Sequence, residues 1–176
     1  RVRSSAASDV YKRQGRHAAN VAGGATLDVT HNFNYGNIEL NGGVVIIGND
    51  ARNTAFNFVS GVNTVEIGDG KKGTGAAAFE NMNNGDRIEL GGIAFNGAKY
   101  NAQTDTLTLT ENGKTVTTLN VTLAAGASTT FYTSVDTNTG YDYVQVDPPA
   151  STITSDTVIA GNYNEWTSNI TCLLYT

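Results

Sequence analysis

Cysteine occurs once in the 176 residues, at Cys172, so neither an internal disulfide framework nor a CxxC metal site is available. Proline occurs only as Pro148-Pro149, and Met82 is the single methionine. Leucine is infrequent, and no window places apolar residues at i, i+3, i+4 and i+7, which excludes amphipathic helices as the organising element. Charged residues make up 15% of the chain and acids outnumber bases. Without basic clusters, nucleic acid and anionic membrane are excluded as partners, because both are bound through Lys and Arg contacts. No apolar run approaches the ~20 residues of a membrane-spanning helix. What is abundant is Gly, Asn and Thr, a composition of turns and strands.

The two ends read differently from the rest. Ser4-Ser5-Ala6-Ala7-Ser8-Asp9-Val10-Tyr11-Lys12-Arg13-Gln14 resembles the translation of a transposase adapter used in shotgun sequencing, and Cys172-Leu173-Leu174-Tyr175-Thr176 resembles the same element read from the other strand. The expectation is that residues 1–14 and 172–176 are adapter-derived tails that take no part in the core. Between them, seven bases face fifteen acids, a charge of −8.

Strand-length runs recur from residue 25 onward: Ala25–Val29, Asn37–Leu40, Val44–Ile47, Ala55–Val59 and Thr64–Ile67. Each alternates or is continuously apolar, and Gly-Asn-Asp clusters separate them at intervals of roughly ten residues. This spacing fits a parallel β-solenoid or an antiparallel β-sandwich. Val44–Ile47, apolar on both faces, and the small or amide corner residues favour the solenoid, with the sandwich as the alternative.

The second half predicts antiparallel structure. Thr106–Thr110 and Thr115–Val121 flank Asn112-Gly113, a strong hairpin signal. Thr130–Val135 and Tyr141–Val146 form another strand pair across Asp136–Gly140. Pro148-Pro149 closes the unit, since neither proline donates to a ladder. The predicted organisation is all-β: 15–90 as β-solenoid-like coils, 91–147 as a β-hairpin module and 148–171 as the start of a next module. Helix is expected nowhere beyond a short turn near Ala76–Asn81.

The string Phe79–Ile93, with its Gly85-Asp86-Arg87-Ile88-Glu89-Leu90 core, is followed by Tyr100, Leu107/Leu109, Gly113, Leu119/Val121, Phe131 and Val144/Val146. This pattern resembles a repeat of very large bacterial surface and secreted proteins of the adhesin-like, autotransporter-passenger type. The resemblance implies an elongated, non-enzymatic stalk or adhesive segment at the cell surface or outside the cell. Its partners would be a host or cell-surface glycan or protein, and neighbouring repeats of the same polypeptide.

No catalytic, cofactor or metal residues are predicted. Gly48-Asn49-Asp50 and Gly68-Asp69-Gly70 are isolated, whereas calcium-binding arrays need tandem nonapeptides, so Asp50, Asp69 and Asp86 read as turn aspartates. His17 and His31 stand alone, and Lys71-Lys72 reads as a charged loop. The competing function is a carbohydrate-active β-solenoid: a polysaccharide-binding module, lyase or hydrolase. Its nearest candidates are Glu66, Glu89 and Arg87, with Tyr132, Tyr141, Tyr143 and Trp166 as stacking aromatics. Alternation places Glu39, Glu66 and Glu89 toward water with no second acid beside them. A second carboxylate ~5–9 Å from Glu66 or Glu89, in a groove lined by Arg87 or a Tyr ring, would instead mark glycosidase geometry.

Overall fold

The computed structural model describes residues 17–71 and 74–147. The tails at 1–14 and 172–176, the segment 148–171 with Trp166, and Lys72 lie outside the described residues.

Strand and corner residues alternate along the chain to wind four coils. The first coil carries β1 (His17–Ala22) and β2 (Thr26–Val29); the second, β3 (Gly36–Asn41) and β4 (Val44–Ile47); the third, β5 (Ala55–Ser60) and β6 (Thr64–Ile67); the fourth, β7 (Ala78–Met82) and β8 (Arg87–Leu90). Odd strands pair in parallel in one sheet and even strands in a second, which is a β-solenoid. Five more strands finish the described chain: β9 (Gly97–Asn101), β10 (Thr106–Glu111), β11 (Lys114–Leu123), β12 (Phe131–Val135) and β13 (Asp142–Val146).

Both sheets run on into these strands. The first has seven in the order β1-β3-β5-β7-β11-β10-β9, and the second six in the order β12-β13-β8-β6-β4-β2. β11 extends the parallel pairing beside β7, whereas β9, β10, β12 and β13 pair antiparallel with their neighbours. No helix is present among the described residues. Asn112 (φ 50°) and Gly113 (φ 78°) turn the β10–β11 hairpin as the sequence predicts, with both residues in the left-handed region. The helix-tolerant Ala76–Asn81 stretch is instead a turn leading into β7, because Phe79 and Met82 gain full burial there.

Period-two alternation directs one face of every strand inward. Parallel register then stacks like upon like: Ile38 beside Phe56 beside Phe79, and Val45 beside Val65 beside Ile88, all fully buried. The Phe56 and Phe79 rings lie 5.3 Å apart and 11° from parallel. Leu107, Leu109, Leu119, Val121, Val144 and Val146 continue the same core through the antiparallel end. The Tyr100 and Phe131 rings, 5.6 Å apart, bring β9 and β12 together there.

The corners dictate residue type. After the second-sheet strands, Gly48, Gly68 and Gly91 stack so closely that a Cβ on Gly68 would lie 2.2 Å from the Gly48 carbonyl oxygen. A side chain there would break the coil spacing, so these glycines serve close approach rather than flexibility. At the opposite corner, buried Asn63 links three coils. Its side-chain oxygen accepts from the Gly42 and Gly43 N–H groups (2.7 and 3.2 Å), and its amide nitrogen donates to Asp86 Oδ1 (2.9 Å).

Candidate functional site

The side chains with the most chemistry converge on the outer face of the second sheet, where β6, β8 and β13 run side by side. Parallel register places Glu66 next to Glu89, and antiparallel register places Tyr143 on the other side of Glu89. Arg87, two residues before Glu89 on the same face, reaches back to it with Nη2 2.5 Å from Glu89 Oε1. The same nitrogen lies 3.1 Å from Asp136 Oδ2. The guanidinium carbon sits 4.6 Å from the Tyr143 ring centre, a cation–π stack, and Tyr132 meets Tyr143 edge-on at 6.0 Å.

Alternation correctly turns Glu89 away from the core, but the expectation that it faces water is overturned: it is 2% exposed. The connection between β12 and β13 folds over it. Asp136 starts that connection by accepting from the Asn138 N–H at 2.7 Å, a side-chain-closed turn. Thr139 then donates its hydroxyl to Glu89 Oε2 at 3.3 Å. Both Glu89 oxygens are therefore occupied, one by Arg87 and one by Thr139. The expectation that no second acid stands beside these glutamates is also overturned. Asp136 shares a guanidinium nitrogen with Glu89, and Glu66 is its ladder neighbour.

Electrostatics follow from this crowding. Burial raises the Glu89 carboxyl above its ordinary range, and Arg87 opposes the shift. Glu66 is raised by partial burial and then by the charges of Glu89, Asp136 and Asp28. It has no hydrogen-bond or ion-pair partner among the described residues. Asp136 is lowered, first by the Asn138 N–H and further by Arg87. The arrangement is closed upon itself: the Arg87 guanidinium occupies the space between Glu89 and Asp136, where a sugar and a water would have to enter. Carboxylates that perform glycoside hydrolysis need such a space.

The remaining predicted residues are dispersed. Exposed His31 pairs through Nδ1 with the Thr30 hydroxyl (2.9 Å), and His17 lies in β1. Asp50 is bridged by Arg52 at 3.1 Å, and the Asp69 N–H donates to the Asn49 carbonyl at 3.4 Å. Buried Asp86 accepts from the Asn83 and Asn63 N–H groups at 2.7 and 2.8 Å, so it ties its turn to the preceding coil as well as its own. Burial raises its carboxyl despite those bonds. Half-buried Tyr141 packs on Gly91, where a Cβ would meet its ring at 2.8 Å. Lys71 is exposed. Among the described residues, no three His, Cys, Asp or Glu side chains group as metal ligands.

Sequence reasoning passed over Asp136 and Thr139 as cluster members, and Asn63 as a corner. The Asp-Thr-Asn-Thr-Gly string marked a turn, yet nothing local in it pointed to Glu89. No family model matches the chain, and no curated protein or solved structure matches it.

Proposed function

We propose that this chain is a non-enzymatic structural or adhesive segment of a large bacterial surface or secreted repeat protein, acting outside the cell or at its surface through contact. The observation that carries this reading is the self-satisfaction of the acid cluster. Glu89 is sealed by Arg87 and Thr139, so the acids nearest to a catalytic pair serve to fasten the antiparallel end onto the coils. Ladders of stacked apolar residues inside and amides outside suit a stiff element that presents a long polar face to a partner. Such a partner is a host or cell-surface glycan or protein, or a neighbouring repeat.

The second reading, a carbohydrate-active solenoid, draws on Glu66 beside Glu89 and on the Arg87–Tyr143 stack. The two readings part in one assay. Incubated with a panel of plant, algal and bacterial polysaccharides, the purified chain is expected to release neither reducing ends nor unsaturated products. Release that disappears in Glu89→Gln would sink the contact reading and establish the enzyme.

A further inference from the structure

Tyr35, Asn53 and Ala76 occupy the same place in three successive coils, each two residues before the ladder Asn37–Ala55–Ala78. All three are non-glycine residues in the left-handed region, at φ 61°, 54° and 55°. For an aromatic residue this conformation is costly, and it persists only where the surroundings hold it. Backbone bonds across the corner do so: the Tyr35 N–H donates to the Arg52 carbonyl at 3.1 Å and the Asn53 N–H to the Gly75 carbonyl at 3.2 Å. The result leaves Tyr35 67% exposed beside an open groove of about 420 Å³.

The groove exists because its floor is Ala55 and Ala78, and Ala76 adds no bulk at the corner. No Asp, Glu, Lys or Arg lines it. Two amides do, and they differ from the other corner amides. Asn32, Asn34 and Asn63 are committed to backbone N–H groups of neighbouring coils, whereas the side chains of Asn37 and Asn53 have no partner among the described residues. An exposed aromatic face, two free amides and an uncharged floor match the polar-and-apolar face of a sugar ring. Its C–H side packs on an aromatic ring, and its hydroxyls both donate to and accept from amides. The size lies within the ~300–1,000 Å³ range of small-ligand sites.

We propose that this corner groove binds a residue of a neutral glycan, with Tyr35 as the stacking platform and Asn37 and Asn53 as the hydroxyl-reading groups. The proposal rests on the surface-contact reading and gives it a ligand class. The Arg87–Tyr143 face is not the site, because its rings and charges already satisfy one another.

The test titrates the isotope-labelled full chain with chitotriose, cellotriose and maltotriose, following backbone amides by NMR. At least one sugar is expected to shift the amides of Tyr35–Asn37, Asn53–Ala55 and Ala76–Ala78 with millimolar affinity. Tyr35→Asn keeps a residue suited to the left-handed region but removes the ring, and should weaken binding about tenfold without loss of folding. Ala55→Leu fills the floor and should weaken it while Tyr35 stays. Shifts that are absent for all three sugars, that fall on Tyr132 and Tyr143 instead, or that survive Tyr35→Asn would overturn the site. Turnover of a bound sugar would instead overturn the non-enzymatic reading, so the two failures are separable.

Discussion

The parallel coils and the antiparallel end share two sheets and one core, yet they satisfy their corners by different means. In the coils, corner groups are satisfied by residues about twenty positions away in the next coil. Asn63 serves Gly42 and Gly43 behind it and Asp86 ahead of it. In the antiparallel end, turns lean on closer partners: Asp136 accepts from Asn138 two residues on, and Asn112 exchanges two hydrogen bonds with Asn96 at the entry to the neighbouring β9. The difference teaches where cooperativity resides. A coil corner is a contact between neighbours, so damage to one is shared by three coils, while damage to a hairpin turn stays near its hairpin.

The sharpest way to break this comparison is Asn63→Ala. It strands the half-buried Gly42 and buried Gly43 N–H groups and removes an amide donor from buried Asp86. One buried and one half-buried N–H left without a partner, with a weakened Asp86, give an expected destabilisation of about 3 kcal/mol. Urea denaturation measures it, and hydrogen exchange should show lost protection in β3, β5 and β7 together. A loss confined to the third coil would mean that the coils are energetically independent.

Asn112→Ala is the matched change in the antiparallel end. It places alanine at φ 50° and removes the side-chain oxygen that accepts from Asn96 at 3.2 Å. The left-handed conformation costs alanine about 1 kcal/mol, and both lost groups are exposed. Exchange protection should fall in β9, β10 and β11 alone. Protection lost equally in β3 and β5 would erase the distinction between the two regions.

Legibility in the sequence divides along the same line. β3 to β6 were readable because Ile38, Leu40, Val45, Ile47, Phe56 and Phe58 alternate with polar or half-buried positions. The β10–β11 hairpin was readable because its turn chemistry is local. β7 was obscured by Ala76-Ala77-Ala78, whose small side chains favour helix until Phe79 finds Phe56 in the neighbouring coil. β9 was unmarked, since Gly97, Ala98 and Lys99 carry little strand preference. The outward direction of Glu89 followed from alternation. Its burial did not, because the covering turn lies 50 residues downstream, at Thr139. Contacts of that span leave no periodic trace in the chain.

The smallest effect tests the seam where the two regions meet. Glu66 stands between Ile46 and Glu89 on the outer face, unpaired, with its carboxyl raised by partial burial and by neighbouring acids. A raised acid holds its proton at a higher pH in the folded state than in the unfolded one. Folding is therefore favoured as pH falls from above the raised pKa toward the ordinary glutamate range, and the gain is complete once both states are protonated. Glu89 and Asp86 contribute with the same sign, whereas Asp136, being lowered, acts in the opposite sense and only at lower pH. Glu66→Gln removes the unpaired charge and should stabilise the chain at neutral pH by about 0.5 kcal/mol, a value set by its partial exposure to solvent. That advantage should shrink on acidification as the parent's own carboxyl becomes neutral. Denaturation midpoints for parent and variant across this pH window provide the check. A variant less stable than the parent at neutral pH would mean that Arg87 reaches Glu66 as well as Glu89, and that the seam holds its acids together by attraction instead of tolerating their repulsion.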